Sequence, residues 1–238
     1  MEKLRQGAER LGLKLGDKEL ACFQTYYEEL LDWNSRMNLT SITDYEQVQI
    51  NHFLDALTVA LVWKPESPKS RVIDVGTGAG IPGIPLKIIF PQIHLVLLEA
   101  TAKKASFLSH IVKKLSLSDV EIVVGRAEEI AHQNNYREQF NIVLARAVAE
   151  LAALIELTLP FCATGGLVIA HKRGDIQEEI QQADKAIAIL GGKLKEVKPI
   201  ALPEFPDNRS LVVIEKVSPT PEKYPRRAGM PAKKPLIK

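Results

Sequence analysis

The hydrophobic pattern from residue 71 onward alternates between two kinds of segment. Short runs rich in Val, Ile and Leu, typical of buried strands, are separated by longer segments with apolar residues at helical spacing. The pattern predicts strands at residues 71–75, 93–98, 120–124, 140–145, 166–171, 193–200 and 210–216. It predicts helices between them at residues 84–90, 103–115, 148–159 and 176–190. This alternation indicates right-handed crossovers and a mostly parallel sheet that is covered on both faces.

The last two predicted strands break the alternation. Only residues 201–209 separate them, and this segment is too short for a covering helix. We therefore expect these two strands to pair as an antiparallel hairpin at the edge of the sheet. A seven-stranded α/β sheet with this ending is typical of class I S-adenosylmethionine-dependent methyltransferases, and not of dinucleotide-binding domains.

Residues 1–63 have the periodicity of helices. After Asp17, which is expected to be an N-cap, apolar residues recur at helical spacing until a polar segment interrupts them. Residues 43–46 fit a capping box, which predicts a further helix with a buried stripe that extends to Leu61. His52 and Asp55 lie beside this stripe, either as a solvated or locally paired couple or as residues that line a site.

The chain divides by composition into three parts. A helical cap at residues 1–63 is joined by the Pro-containing linker 64–70 to a core at residues 71–217. The remaining residues, 218–238, form a basic, proline-rich tail. The chain has a net charge of only +2, yet from residue 216 onward seven basic residues face one acidic residue. Such a tail suits a polyanion such as RNA.

Length and composition are those of an ordinary globular protein. With 238 residues, of which 46% are hydrophobic and 25% charged, the chain can bury a large core. We find neither a signal-peptide pattern nor an apolar run of about 18 residues, so we expect a cytoplasmic protein with no membrane contact. Cys22 and Cys162 lack metal-binding spacing, and we expect neither a disulfide nor a metal site.

The loop after the first predicted strand carries the clearest chemical signal. Asp74 is followed by four glycines, Gly76, Gly78, Gly80 and Gly83. Glycines between a strand and a helix let a ligand lie against the backbone, where N–H groups are exposed. The spacing Gly78-x-Gly80-x-x-Gly83 also matches the dinucleotide-binding fingerprint, so a dinucleotide-dependent oxidoreductase is an alternative.

Two carboxylates favour S-adenosylmethionine over a dinucleotide. Asp74 would repel a pyrophosphate across a short gap, whereas the sulfonium and ammonium groups of S-adenosylmethionine are cations. Glu99 ends the second predicted strand, where we expect it to bind the ribose hydroxyls. We expect Gly76, Gly78 and Gly80 to approach the methionine part of the cofactor.

Two further strand ends complete the predicted site, because ligands of open α/β sheets bind beyond the carboxyl ends of the strands. Ala127 and Glu128 should flank the adenine, with stabilisation of a helix start as the alternative role of Glu128.

Arg146 follows the fourth strand, where many amino-methylating enzymes carry an Asp/Asn-Pro-Pro-aromatic motif that is absent here. A ring nitrogen needs no such clamp, so Arg146 is a candidate to orient a base or hold a phosphate. The alternative is a structural ion pair, for example with Asp74.

Basic residues near these strand ends are candidate RNA contacts. Lys172 and Arg173 follow the fifth predicted strand, and Arg226 and Arg227 lie beside a tyrosine in the tail. This mixture can stack on bases and neutralise phosphates. A solubilising tail without contacts is the alternative. If the tail binds RNA, deletion of residues 223–238 should weaken RNA binding and leave cofactor affinity intact.

Several of these segments together resemble the small-subunit ribosomal RNA methyltransferase G family, also called glucose-inhibited division protein B. The segments that carry the resemblance are Trp33-Asn34, Asn38-Leu39-Thr40, His52-Phe53-Leu54-Asp55, Ile81-Pro82-Gly83-Ile84-Pro85-Leu86-Lys87, Arg126-Ala127-Glu128-Glu129, Arg146-Ala147 and Tyr224-Pro225-Arg226-Arg227-Ala228-Gly229. The resemblance runs from about residue 20 to 237. One departure is Lys172-Arg173-Gly174, where the family often has Lys-Gly.

The resemblance implies both a function and a set of site residues. It implies a cytoplasmic enzyme, expected to be a monomer, that uses S-adenosylmethionine to methylate N7 of a guanosine in 16S ribosomal RNA or the small ribosomal subunit. The cofactor residues that it implies are Gly76, Ile81, Glu99, Ala100, Thr101, Ala127, Glu128 and Arg146. Arg146 is also the expected catalytic residue. A non-catalytic RNA-binding α/β module is a second alternative beside the oxidoreductase.

Overall fold

The computed structural model describes residues 1–65, 70–147 and 149–237. Most of the predicted linker therefore lies outside the described residues. The same holds for Val148, where the third predicted core helix begins, and for Lys238 at the end of the predicted tail. No helix within the described ranges has the length and apolar character needed to cross a membrane.

Seven strands of the described chain form one sheet in the order β3-β2-β1-β4-β5-β7-β6. The strands are β1 (Arg71–Val75), β2 (His94–Glu99), β3 (Val120–Val124), β4 (Phe140–Arg146), β5 (Cys162–Arg173), β6 (Gly192–Pro199) and β7 (Arg209–Lys216). Strands β1 to β5 pair in parallel, whereas β7 lies antiparallel between β5 and β6. The predicted strands and the terminal hairpin are confirmed. β5 begins earlier than predicted, because Cys162 pairs with Phe140 ahead of an irregularity in the ladder.

Helices cover both faces of this sheet. They are α1 (Glu2–Arg10), α2 (Asp17–Met37), α3 (Tyr45–Val48), α4 (Asp55–Leu57), α5 (Gly83–Ile89), α6 (Ala102–Lys114), α7 (Ala127–Ile130), α8 (Leu151–Thr158), α9 (Gln177–Ile189) and α10 (Met230–Lys233). A π-helical segment, Gln49–Leu54, joins α3 to α4, and a 3-10 turn, Thr58–Leu61, follows α4. The helix α10 in the tail was not predicted.

The N-terminal helices differ from the prediction in three details. Gly16, and not Asp17, is the N-cap of α2. The helix continues through the polar segment that was predicted to interrupt it. It ends at Met37, and its C-cap, Asn38, has a left-handed φ of 52°. Asp44, and not Thr43, caps α3.

Tertiary packing explains why α2 is longer than predicted. The ring centroid of Trp33 lies 5.7 Å from that of Phe107 and 4.9 Å from that of His110, both on α6. Such contacts stabilise a helix where its own polar side chains do not. Leu61, predicted in a buried stripe, is 36% exposed because the helix has changed to a 3-10 turn there.

Two hydrophobic clusters lie on the two faces of the sheet. Phe23 and Phe53 from the N-terminal helices share one cluster with Val72 of β1. Ile73, the next residue of β1, points to the other cluster, which α8 and α9 cover. Successive residues of a strand face opposite sides, so both faces of the central strands are apolar. Residues 1–61 thus cover one face of the sheet together with α5 and α6, against which α2 and α4 pack.

The described part of the tail is folded against the second face. Tyr224 is only 7% exposed and belongs to the second cluster. The guanidinium of Arg137 donates to the carbonyl oxygens of Thr220, at 2.8 Å, and Tyr224, at 2.9 Å. The tail is therefore attached to the fold, unlike the free solubilising tail that was one alternative.

Candidate functional site

The first three strand ends meet at a pocket, which we call the β1–β3 pocket. Its volume is about 180 Å³. It is lined by Val75, Gly76, Leu98, Ala100, Gly125, Arg126, Ala127, Glu128 and Leu157. Four of the residues that were predicted to bind the cofactor thus line this pocket: Gly76, Ala100, Ala127 and Glu128.

Glycine is needed in the loop above this pocket for two different reasons. Gly76 and Gly78 have φ values of 69° and 61°, which L side chains rarely adopt. A Cβ on Gly78 would meet only the Gly76 carbonyl oxygen, at 4.0 Å, so the space beside it is open to a ligand. A Cβ on Gly80 would instead collide with Ile84 and approach the Tyr26 hydroxyl to 3.0 Å. The structure therefore places Gly80 against the helices, away from the open side where it was expected.

Asp74 and Ile81 also lie inside the loop instead of lining the pocket. Ile81 is 4% exposed and belongs to the first cluster. The Oδ2 atom of Asp74 accepts hydrogen bonds from Thr77 Oγ1 at 2.6 Å and from the Gly83 N–H at 2.8 Å. Burial raises the pKa of Asp74 to about 6, against the lowering effect of these two bonds. Asp74 ties the loop together and keeps a negative charge beneath it at pH 7.

Glu99 holds the same loop from the neighbouring strand. Its Oε2 atom accepts the Gly78 N–H at 3.0 Å, and its Oε1 atom accepts the Thr101 N–H at 2.9 Å. The side chain is 6% exposed at the end of β2. Each carboxylate oxygen has a second lone pair, so Glu99 can still accept hydrogen bonds from hydroxyl groups.

A second cavity of about 370 Å³ opens beyond β4 and β5, and we call it the β4–β5 pocket. It is lined by Asn51, His52, Asp55, Arg146, Ala147, Ala149, His171, Lys172, Arg173 and Ile200. The strand order reverses between β1 and β4, so the two pockets lie on the two sides of this switch point. Ligands of open α/β sheets bind at such points.

Asp55 is the centre of an ion-pair network in this second pocket. Its Oδ2 atom accepts from Arg146 Nη1 at 3.2 Å, and its Oδ1 atom accepts from Arg209 Nη1 at 2.8 Å. Burial alone would raise the pKa of Asp55. Positive charge from His171, when protonated, and from the two arginines holds this pKa below its usual value. Arg146 therefore forms a structural ion pair, as the alternative expected, but its partner is the buried carboxylate of Asp55 and not that of Asp74.

Both histidines in the β4–β5 pocket are neutral at pH 7. Burial first, and Arg146 second, lower the pKa of His52 to about 4. The Nε2 atom of His52 lies 2.8 Å from Thr40 Oγ1. Burial also lowers the pKa of His171, whose Nε2 atom lies 3.0 Å from the Asp55 carbonyl oxygen. His52 and Asp55 are 7% and 3% exposed, so they are not a solvated pair, and both line the β4–β5 pocket.

Arg209 and Asn51 also belong to this pocket network, although the sequence did not predict either residue. The guanidinium of Arg209 lies 4.0 Å from the ring centroid of Phe205, and it donates to the side chain of Asn51. Arg209 is 4% exposed at the start of β7, and Asn51 belongs to the π-helical segment. No local pattern marks either residue, because they meet only after the N-terminal helices have packed on the sheet.

The four predicted RNA-binding residues differ in how their charges are used. Lys172 is held by an ion pair with a glutamate of α9, and Arg226 by an ion pair with Glu156 of α8. Arg173 has a half-exposed side chain, and Arg227 is exposed. The fold therefore uses the charges of Lys172 and Arg226 itself. Arg173 Nε also lies 3.7 Å from Asp207 Oδ2, but Arg173 and Arg227 both remain exposed to solvent.

Comparison with known proteins gives the family. A family profile described as rRNA small subunit methyltransferase G matches residues 19–210. The chain belongs to this family. A ribosomal RNA small subunit methyltransferase G from Dehalococcoides mccartyi (strain CBDB1) is 54% identical over 237 residues and covers 100% of both chains. A protein of the same name from Roseiflexus castenholzii (strain DSM 13941 / HLO8) is 48% identical over 237 residues, again with 100% of both chains covered.

Solved structures agree on the fold. A SAM-dependent methyltransferase from Aquifex aeolicus matches with a TM-score of 0.54 at 13% identity, covering 74% of this chain and 96% of that one. The predicted class I methyltransferase fold and the resemblance to methyltransferase G are both confirmed. The chain is a methyltransferase, and the predicted cofactor, S-adenosylmethionine, is confirmed. The oxidoreductase alternative is not favoured.

Proposed function

We propose that this methyltransferase transfers a methyl group from S-adenosylmethionine to N7 of a guanosine in the 16S RNA of the small ribosomal subunit. The observation that supports it best is the pair of pockets on the two sides of the switch point between β1 and β4. One pocket is lined by the carboxylate of Glu128, and the glycine loop above it is held by the carboxylates of Asp74 and Glu99, which favour a cationic cofactor. The other has fixed arginines and neutral histidines. The names of the relatives support RNA as the acceptor.

The residues of the β1–β3 pocket fit S-adenosylmethionine. The open backbone at Gly76 and Gly78 suits the methionine part. Glu99 has lone pairs left for the ribose hydroxyls, and Ala127 and Glu128 lie where the adenine edge would be read. When bound, the cofactor supplies a methyl group on a cationic sulfur, and transfer to a nitrogen lone pair leaves a neutral thioether and a positively charged base.

The acceptor pocket needs to position a base, and it needs no general base, since N7 carries no proton. The neutral, hydrogen-bonded histidines agree with this requirement. Three contacts, with the Asn51 carbonyl oxygen, His52 Nδ1 and Asp55 Oδ2, fix the guanidinium of Arg146 at 3.0, 3.4 and 3.2 Å. A guanidinium has five N–H donors, so donors remain for a base oxygen or a phosphate. Positioning of this kind supplies a large part of a methyl-transfer rate.

The RNA contacts belong to the same proposal. Arg173 and Arg227 present exposed guanidinium groups, which suit phosphates. Arg173 also lines the β4–β5 pocket, so a phosphate next to the acceptor nucleotide would meet it. The small ribosomal subunit as partner, the cytoplasmic location and the monomeric state remain predictions.

Methyl transfer to ribosomal RNA tests the proposal. The purified protein and labelled S-adenosylmethionine are incubated with 16S RNA, or with small subunits, from a strain that lacks the gene. Mass spectrometry of nuclease digests should show one new methyl group at guanosine N7. Glu99→Ala, which removes the acceptor of the Gly78 and Thr101 N–H groups, should weaken binding of S-adenosylhomocysteine. A methyl group on another base, or on another atom of guanosine, would contradict the proposal.

A further inference from the structure

The C-terminal segment 220–234, which we call the C-terminal strap, is anchored on the element that forms a wall of the β1–β3 pocket. Glu128 of that wall belongs to α7. Two residues of the segment after α7 hold the start of the strap. His132 Nε2 lies 2.9 Å from the Pro225 carbonyl oxygen, and Arg137 donates to two strap carbonyls. The strap is therefore tied to the segment that follows α7.

Arg226 forms the strongest anchor of the strap. Glu156 of α8 is fully buried, and it accepts hydrogen bonds from the backbone N–H, Nε and Nη2 of Arg226 at 2.8, 2.9 and 2.6 Å. The Nη2 atom also donates to the Lys234 carbonyl oxygen at 2.7 Å, which closes the strap on itself. Leu157, the neighbour of Glu156, lines the β1–β3 pocket. Arg226 thus fixes the strap next to the cofactor site.

Glu128 connects the strap to the interior of the pocket. Its Oε1 atom accepts the N–H of Gly229 at 2.8 Å. Gly229 has a φ of 79°, a backbone conformation that glycine adopts without strain. Glu128 is 9% exposed, and one of its carboxylate oxygens is held by the strap. The orientation of this carboxylate in the pocket wall therefore depends on the strap.

We propose that the C-terminal strap positions Glu128 for cofactor binding, with Arg226 and Gly229 as positioning residues. The inference rests on the proposed role of Glu128 at the adenine edge. It reverses the expectation that deletion of residues 223–238 leaves cofactor affinity intact. The deletion removes the donor to Glu128 and leaves Glu156 buried without its counter-charge.

A double-mutant cycle on cofactor affinity tests this inference. The Kd of S-adenosylhomocysteine is measured by calorimetry for the wild type, Glu128→Ala, Arg226→Ala and the double variant. Each single substitution should raise the Kd about tenfold, the usual effect of losing a hydrogen bond to a charged group. The double variant should be no weaker than Glu128→Ala, because Arg226 acts through Glu128. Lys233→Ala, which removes an exposed charge from the same strap, is the matched control and should leave the Kd unchanged.

The outcomes separate the strap from the site itself. If Glu128→Ala binds the cofactor product as tightly as the wild type, the proposed role of Glu128 fails, and the inference fails with it. Methylation of RNA by that variant would still support the proposed function. If Glu128→Ala weakens binding and Arg226→Ala does not, the inference alone is overturned. If the losses in affinity for S-adenosylhomocysteine add in the double variant, Arg226 acts on the stability of the protein in general and not through Glu128. That result would also overturn the inference.

Hydrogen exchange of the wild type is a second test, because Arg226→Ala leaves a buried carboxylate unpaired and can prevent folding. Saturating S-adenosylhomocysteine should slow exchange of the strap amides, including Gly229, by roughly fivefold more than exchange in β6. The reason is that ligand and strap both stabilise one conformation of Glu128. Equal slowing in the strap and in β6 would reflect general stabilisation and would overturn the inference.

Discussion

The two pockets differ in the distance along the chain between their residues. The β1–β3 pocket is lined mainly by residues that directly end or follow a strand, such as Gly76, Ala100 and Ala127. In the β4–β5 pocket, hydrogen bonds to Asp55 come from Arg146 and Arg209, which are 91 and 154 positions away. The first pocket forms wherever these strands and turns form. The second exists only once the N-terminal helices have packed on the sheet.

Their chemistry differs in a corresponding way. Around the β1–β3 pocket, buried carboxylates bond to backbone N–H groups of the loops, as Asp74 does with Gly83 and Glu99 with Gly78. In the β4–β5 pocket, charged side chains bond to one another. The first site therefore depends on backbone conformation. The second depends on a complete set of partners, because removal of one leaves a buried charge unpaired.

Replacement of Asp55 by Asn should cause the largest loss, because it leaves the buried Arg209 and the partly buried Arg146 without their shared carboxylate. The expected loss in the free energy of unfolding is about 3 kcal/mol. This is near the low end for a broken buried pair, since Arg209 keeps a second bond to Asp207 at 2.8 Å. Urea denaturation measures it. Asp32→Asn breaks an exposed pair and should cost less than about 1 kcal/mol. Similar losses in both variants would contradict a central role for Asp55.

Arg146→Ala should separate the two pockets by function. Methyl transfer should fall about hundredfold, because the acceptor loses its positioning, while the Kd of S-adenosylhomocysteine changes less than about twofold. Rapid-quench transfer assays and calorimetry measure the two quantities. Arg126→Ala, an exposed arginine that lines the β1–β3 pocket, should instead weaken cofactor binding and retain transfer at saturating cofactor. Weaker cofactor binding by Arg146→Ala would contradict this prediction. It would support the cofactor-binding role of Arg146 that the resemblance implied.

The sequence predicted the sheet and the β1–β3 pocket because both depend on local periodicity and on the residues that end each strand. It could not place Arg209, since the role of this residue comes from contacts with distant helices. The role of the tail was predicted from its composition, and composition does not show which charges form ion pairs within the fold. One signal was available: Glu156 is a lone carboxylate in the apolar helix α8, and such a carboxylate requires a cation. Arg226 is that cation.

The pH dependence of the free energy of unfolding should show opposite effects of His52, in the β4–β5 pocket, and Asp74, beneath the loop of the β1–β3 pocket. Both effects should be smaller than those of the two preceding variants. The pKa of His52 falls to about 4 on folding, so the unfolded chain binds more protons there as the pH falls below about 6.5, and stability is lost. The pKa of Asp74 rises from 3.8 to about 6, so the folded chain binds more protons between these values, and stability is gained as the pH falls. Between pH 7 and pH 5, the free energy of unfolding of His52→Asn should therefore fall by about 1–2 kcal/mol less than that of the wild type. That of Asp74→Asn should fall by about 1–2 kcal/mol more. Urea denaturation at the two pH values measures both differences. Changes of the same sign in both variants would show that burial does not set both pKa values, and the contrast between the pockets would then lose its electrostatic basis.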